Sequence, residues 1–196
     1  PDNGVEGVAA RTAHAVNTYV WGQLTPEGGV DIARRAHLVK VACAQIDGFS
    51  DGWKSAPRPD SVLLPAHDRV GGHWADCTLT VQTPAAAARV DIMDSLRAEG
   101  QAWALEDTAV WFLSAIHAAI IAMPLATAGG EASAAPAVWP PALTDVALTT
   151  ELSTVLRVVR AVPQQLEVDC GVCTCWNALQ SVVNIEHALC DTERTH

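Results

Sequence analysis

A run of 23 residues without a charged side chain, from Thr108 to Gly130, constrains this chain more than any other feature of its sequence. The run is as long as a bilayer span. However, Pro124 would end a regular helix after about 16 residues, or roughly 24 Å, whereas a hydrocarbon core is about 30 Å thick. Both flanks are acidic, at Glu106 and Glu131, so no positive-inside signal accompanies the run. We therefore predict a buried central helix rather than a membrane span.

The composition is that of a packed, acidic globule. Hydrophobic residues make up 49% of the 196 residues and charged residues only 17%, which is typical of one domain with a substantial core. The formal charge of −10 repels phosphate backbones, and no basic cluster offsets it, so nucleic acid is excluded as a partner. The sequence shows no positively charged segment followed by an apolar one, which is the pattern of a secretory leader. We therefore expect a cytoplasmic location. We expect a single helical domain over residues 1–196.

Apolar residues recur at three- and four-residue steps along most of the chain, which indicates an all-α fold. Thr-Pro pairs at residues 25–26 and 83–84 supply helix start signals, and Gly100 and Pro163 supply stop signals. About six helices are predicted, over residues 5–24, 26–46, 84–99, 103–123, 145–162 and 174–189. The others are expected to pack around the apolar central helix, Trp103–Met123.

One segment departs from the helical pattern. From Asp76 to Gln82, apolar and polar residues alternate with the two-residue period of a strand. Its pairing partner would come from residues 61–64, because a lone strand leaves its backbone groups unpaired. We therefore expect at most one short strand pair near residues 61–82. The stretch 47–72 is rich in Gly and Pro and predicts irregular structure.

The most specific local motif is a C-x-x-C-x-C formed by Cys170, Cys173 and Cys175. Three thiolates at this spacing could bind zinc. Zinc is therefore the cofactor that we expect if this motif is a metal site. A closed zinc site needs four ligands. The fourth would have to come from Cys43, Cys77 or a distant histidine.

The same cysteines allow two other interpretations. Cys170 and Cys173 have the spacing of a redox-active pair ahead of a predicted helix, whose dipole lowers a thiol pKa. The sequence Cys-Gly-Val-Cys resembles the thioredoxin motif, although no βαβ pattern surrounds it. Alternatively, these residues are small buried hydrophobes or disulfide partners, since cysteine is among the most often buried residue types.

A ligand site on the central helix is the second candidate. Trp103, Trp111 and His117 would present two large rings and one polar ring to a pocket, where His117 could contact a ligand or act as a base. The alternative for His117 is a core histidine that is hydrogen-bonded to a neighbouring helix. Asp91 and Asp94 lie three residues apart on a predicted helix, and we interpret them as a solvated acidic face rather than a cation site.

Two functions follow from these patterns. The favoured one is a non-catalytic helical protein that binds an apolar small molecule or a partner protein, including a second copy of itself in a homo-oligomer. The alternative is a thiol-redox or metal-thiolate protein built on the three clustered cysteines. The sequence contains neither G-x-S-x-G nor H-E-x-x-H, and it identifies no catalytic residues.

Overall fold

A five-stranded mixed sheet forms the centre of the fold. The structure is a computed structural model that describes residues 12–25, 31–81, 88–123, 155–161, 171–172, 174–176 and 178. In chain order, its elements are β1 (Ala13–Ala15), α1 (Thr18–Leu24), α2 (Ile32–Ala44), β2 (Ser61–Asp68), β3 (His73–Thr80), β4 (Arg89–Asp94), a 3-10 helix (Ser95–Glu99), α3 (Glu106–Ala122) and β5 (Leu156–Ala161). Residues 171–172, 174–176 and 178 are also helical. The fold is therefore α/β, and the predicted all-α bundle of about six helices is wrong.

Three antiparallel strands make up the middle of the sheet, and a parallel strand lies at each edge. The strand pair predicted near residues 61–82 exists as β2 and β3, but three further strands join it. The turn between β2 and β3 is closed by the Asp68 carboxylate, whose Oδ1 accepts the backbone N–H groups of Val70 (2.9 Å) and Gly71 (3.0 Å). Gly72 has a φ of +64°, a conformation that glycine adopts without a steric penalty.

Two segments that were predicted as helices contain strands instead. Within the predicted helix 84–99, residues 89–94 form β4, because Val90 and Ile92 alternate with more polar neighbours and pair with the buried β3. Within the predicted helix 145–162, β5 pairs in parallel with β4, and its adjacent β-branched Val158 and Val159 suit a strand. In both places, pairing with a neighbouring strand overrides a helical spacing of apolar residues. Residues 82–87, 124–154 and 162–170 lie outside the described residues.

The first two predicted helices are shorter in the structure. Where the helix 5–24 was predicted, Ala13–Ala15 pairs with β2, and α1 begins only after Asn17, whose side chain accepts the N–H of Tyr19 at 2.8 Å. The predicted helix 26–46 corresponds to α2, which Asp31 caps by accepting the N–H of Arg34 at 2.7 Å. The last predicted helix, 174–189, is described only as far as residue 178.

The predicted central helix is present as α3, which begins three residues later and ends one residue earlier than the prediction. Its Phe112, Leu113, Ile116 and Ile120 have no exposed surface and belong to one core with β2, β3 and β4. Helix α2 also packs against α3. No helix in the described ranges combines the length and the apolar character that crossing a bilayer requires. Residues 124–130 of the charge-free run lie outside these ranges.

A matched pair of isoleucines tests the packing of α3. Ile116 is fully buried, whereas Ile121 on the same helix is 40% exposed. We expect Ile116→Val to lower the free energy of unfolding by about 1 kcal/mol, because removing a buried methylene group leaves a gap in a close-packed core. Ile121→Val should lower it much less. Urea unfolding of both variants measures the difference, and equal losses would contradict a buried inner face of α3.

Candidate active site

A buried histidine and a buried aspartate meet at one end of the sheet. His73 is the first residue of β3 and Asp94 is the last residue of β4, so the antiparallel pairing brings their ends together. Side chains alternate along a strand, which puts both residues on the sheet face that carries Cys77 and Ile92. His73 Nε2 lies 2.9 Å from Asp94 Oδ1, and only 6% of His73 and none of Asp94 is exposed. Their contact is therefore shielded from solvent.

Backbone contacts hold the Asp94 carboxylate in place. Asp94 caps the 3-10 helix, and its Oδ1 accepts the N–H of Leu96 at 2.9 Å. The helix ends at Gly100, whose φ of +78° suits glycine. Because a carboxylate can only accept, His73 donates through Nε2–H, and Nδ1 is the nitrogen that can accept a proton. The pair is thus a base oriented by an acid, an arrangement used to activate nucleophiles.

Trp74, the residue after His73, lies on the opposite face of the sheet from His73 and contacts the cysteine motif there. The ring of Trp74 stacks on that of His67, with centroids 4.4 Å apart and planes 22° apart. On Gly171, a Cβ atom would lie 3.6 Å from Cδ1 of the same Trp74 ring, which is ordinary van der Waals contact. The helical residue Gly171 therefore lies against the chain neighbour of His73. Cys170 is bonded to Gly171, and Cys170 itself lies outside the described residues.

The other cysteines differ in their surroundings. Cys173 also lies outside the described residues, and Cys175 is an exposed free thiol. Cys43 and Cys77 are free and fully buried. Burial raises the pKa of both thiols, and for Cys77 the nearby Asp76, Asp94 and Glu106 raise the pKa further. Both thiols therefore stay protonated and act as small core residues.

Cys77, one of the predicted fourth ligands for a metal site, does not lie on the side of the sheet where Gly171 packs. Cys77 faces the core covered by α3, on the opposite side of the sheet from Trp74, against which Gly171 packs. Among the residues that the structure describes, no group of three or more His, Cys, Asp or Glu side chains could hold a metal ion.

The three predicted ligand-binding residues, Trp103, Trp111 and His117, differ in their surroundings. Trp103 is 2% exposed and packs on Trp21, with ring centroids 6.0 Å apart. Trp111 is partly buried, and the Arg35 guanidinium lies 5.5 Å from its ring centroid. His117 is 5% exposed within α3, its Nε2 has no hydrogen-bond partner among the described residues, and burial lowers its pKa. These contacts make Trp103 and His117 part of the packed core.

The sequence interpretation missed His73 and placed Asp94 wrongly. Asp91 and Asp94 do not share a helix face, because they lie on a strand with their side chains on opposite faces of the sheet. Asp91 binds Arg89 through both carboxylate oxygens, at 2.8 and 2.9 Å, whereas Asp94 binds His73. The sequence signal that could have identified this pair is a histidine and an aspartate at the ends of two segments of alternating polarity, in a chain that also carries a cysteine motif.

Comparison with known proteins adds no relative: no protein-family model matches the chain, and no curated protein matches it significantly.

Proposed function

We propose that the protein is a thiol-dependent hydrolase in which Cys170 is the nucleophile, His73 the general base and Asp94 the residue that orients the base. One observation carries this proposal. Gly171, the chain neighbour of Cys170, packs on Trp74, the chain neighbour of His73, whereas the His73 side chain lies on the other face of the sheet. The thiol would therefore have to reach His73 around the end of the sheet where β3 begins. Nucleophile, base and orienting acid are the three parts of the cysteine and serine hydrolase triads.

The proposed chemistry is acyl transfer from an ester or amide. His73 Nδ1 takes the proton of the Cys170 thiol, and the thiolate attacks the carbonyl carbon. The bond between that carbon and the leaving oxygen or nitrogen breaks, and the imidazolium returns the proton to the leaving group. Water, deprotonated by His73, then hydrolyses the thioester and releases a carboxylic acid and the free thiol. No oxidation or reduction takes place.

This proposal differs testably from the functions suggested by the sequence alone. A thiol-redox protein would use Cys170 together with Cys173, whereas the hydrolase needs Cys170 together with His73. Binding of an apolar ligand or a partner chain stays a prediction. Two of the three residues predicted to contact such a ligand, Trp103 and His117, are buried.

A burst assay with p-nitrophenyl acetate tests the hydrolase. We expect a stoichiometric burst of p-nitrophenolate and an acetyl group on the peptide that contains Cys170, because a cysteine hydrolase accumulates its acyl intermediate. Cys170→Ala and His73→Ala should each abolish the burst. Cys173→Ala and Cys175→Ala should keep it, and they serve as the matched controls for loss of a thiol. A burst that survives Cys170→Ala or His73→Ala would overturn the proposal, and loss of the burst in Cys173→Ala would favour the redox alternative.

A further inference from the structure

Two side chains that contact each other in the loop between α2 and β2 each hold a buried N–H group without an acceptor. One is Nε1 of Trp53, a residue that is only 8% exposed. The other is Nε of Arg58, whose Cζ lies 5.7 Å from the centroid of the Trp53 ring. Both nitrogens are buried and have no hydrogen-bond partner among the described residues. Indole and guanidinium nitrogens can only donate, so both N–H groups need an acceptor that these residues do not supply.

The positive charge of Arg58 also lacks a carboxylate partner. Its Nη2 donates to the backbone oxygen of Met123, the residue that follows α3. Asp60, the nearest acid in sequence, accepts from Thr12 instead, through Oδ2 at 2.7 and 3.2 Å. No ion pair within the described ranges includes Arg58, and burial lowers its pKa by removing water from the guanidinium. The contact with Met123 therefore leaves the charge and the Nε–H without an anion.

The backbone of Trp53 is strained. Its φ is +68°, and no other non-glycine residue in the part of the chain that the structure describes has a positive φ. Bulky side chains are disfavoured in this conformation, and residues that adopt it cluster at ligand-binding and active sites. The N–H of Trp53 donates to Gly48 O at 2.6 Å, and its ring meets that of Phe49 edge-on, with centroids 5.6 Å apart. These contacts hold the indole beside Arg58 in spite of the strain.

This pair lies at the other end of the sheet from His73 and Asp94. Arg58 is three residues before Ser61, the first residue of β2, and Ser61 pairs with Thr80 at the end of β3. His73 is at the opposite end of β3. At about 3.3 Å per residue, the eight residues of β3 put roughly 23 Å between its two ends. A ligand bound beside Arg58 is therefore separate from the candidate active site.

We propose that Trp53 and Arg58 form a binding site for a small carboxylate. A carboxylate has one negative charge and two acceptor oxygens, which match one guanidinium charge and two N–H donors. Hydrogen bonds to an ionised acceptor are also stronger than those to a neutral carbonyl group. The next two residues of the loop, Lys54 and Ser55, are exposed, so the site lies directly beneath the surface. Because both nitrogens are buried, the ligand enters as this loop moves outward.

Titration with sodium acetate, followed through the side-chain N–H signals of isotope-labelled protein by NMR, tests the site. With the ionic strength held constant by sodium chloride, we expect the Trp53 Nε1–H and Arg58 Nε–H signals to move downfield and to saturate. Trp53→Phe keeps an aromatic ring but lacks the N–H, and its missing signal assigns Trp53. Trp53→Phe and Arg58→Gln should each raise the Kd for acetate about tenfold or more, measured on the signal that the variant retains.

Arg35 and Trp111 provide the matched control, because Arg35 Cζ lies 5.5 Å from the Trp111 ring centroid. Of the two side chains, only Arg35 has a buried nitrogen without a partner among the described residues. Arg35→Gln should therefore leave the Kd for acetate unchanged. Arg58→Lys keeps the charge and a donor for Met123 but lacks the Nε–H, so its Kd should lie between those of the wild type and Arg58→Gln.

Three results would overturn the carboxylate site. The first is a wild-type protein whose two signals show no saturable shift with acetate. The second is an unchanged Kd in Arg58→Gln, or in Trp53→Phe if Arg58→Gln does not fold. The third is tighter binding of inorganic phosphate than of acetate. None of these measurements involves Cys170 or His73, so the hydrolase is tested separately by its burst.

Discussion

Replacing Asp94 by alanine is expected to lower the rate of Cys170 acylation by p-nitrophenyl acetate by about 10³-fold or more, as in other triads that lose the orienting acid. The alanine removes the acceptor for His73 Nε2–H, which lies 2.9 Å from Asp94 Oδ1. Without it, the buried imidazole loses its fixed tautomer and orientation, so that Nδ1 is no longer held as a base. Stopped-flow measurement of the p-nitrophenolate burst gives the rate.

Asp91→Ala is the matched control, because it removes an acid with its own hydrogen bonds from the same strand but from the opposite face of the sheet. Its acylation rate should remain close to that of the wild type. An Asp94→Ala variant that is folded by circular dichroism and acylated within about tenfold of the wild-type rate would contradict the role given to Asp94.

Asp94→Asn should be milder than Asp94→Ala for a reason specific to this site. The same oxygen, Oδ1, binds both His73 Nε2 and the N–H of Leu96. An asparagine can keep its carbonyl oxygen at that position and preserve both bonds, because the Leu96 N–H selects the oxygen over the amide nitrogen. The order of rates expected is therefore wild type, then Asp94→Asn, then Asp94→Ala.

Asp76→Asn is expected to stabilise the protein at neutral and alkaline pH. Asp76 has no exposed surface, its Oδ2 accepts from Thr78 at 3.3 Å, and its Oδ1 has no partner among the described residues. Burial raises its pKa from 3.8 to about 7, and the hydrogen bond from Thr78 opposes this shift only in part. Burial of the charged Asp76 carboxylate therefore lowers the free energy of unfolding, and a neutral asparagine avoids this loss.

The pH range of this effect follows from the raised pKa. Between about pH 4 and pH 7 the folded protein holds a proton on Asp76 that the unfolded chain has released, so stability falls as the pH rises through this range and levels off above it. A difference from 3.8 to about 7 corresponds to as much as about 4 kcal/mol at pH 8. Asp76→Asn should gain a large part of this amount at pH 8 and almost nothing at pH 4.

Urea unfolding of wild type and variant at both pH values measures the gain. Asp51→Asn is the control of opposite sign. Asp51 is fully exposed, and hydrogen bonds from Ser55, then from the backbone of Lys54 and Ser55, lower its pKa. The charged form of Asp51 therefore stabilises the folded protein above about pH 4. Asp51→Asn removes this charge and should slightly destabilise the protein in that pH range. An Asp76→Asn variant with the same pH dependence as the wild type would contradict the burial cost of this carboxylate.

The sequence predicted those elements whose local pattern agrees with their tertiary surroundings. Helix α3 was predicted nearly to its ends, because a long apolar run needs a buried position whatever the architecture. The strand β3 was predicted from its alternation of Cys77 and Leu79 with polar residues. By contrast, β4 and β5 are short, and their apolar residues also fit a helical spacing. Only their pairing with β3 and with each other decides between helix and strand.

The candidate site was predicted only in part, for a similar reason. Cys170 was singled out because three cysteines stand close together in the sequence. His73 and Asp94 are 21 residues apart, and their contact depends on the register between β3 and β4, which sequence spacing alone does not determine. Trp103 and His117 were chosen for their chemical character. Their burial follows from the sheet beneath α3, which the helical interpretation did not contain.

The two parallel strands at the edges have a consequence for how a new chain reaches its native state. Leu156 pairs with Arg89, 67 positions earlier, so β4 has no second neighbour until β5 has emerged from the ribosome. During that interval β4 presents a row of unsatisfied backbone groups, which is a template for pairing between nascent chains. Contacts so distant in sequence also slow the search for the native topology. Of the five strands of the described sheet, β5 is therefore the last that can join during synthesis.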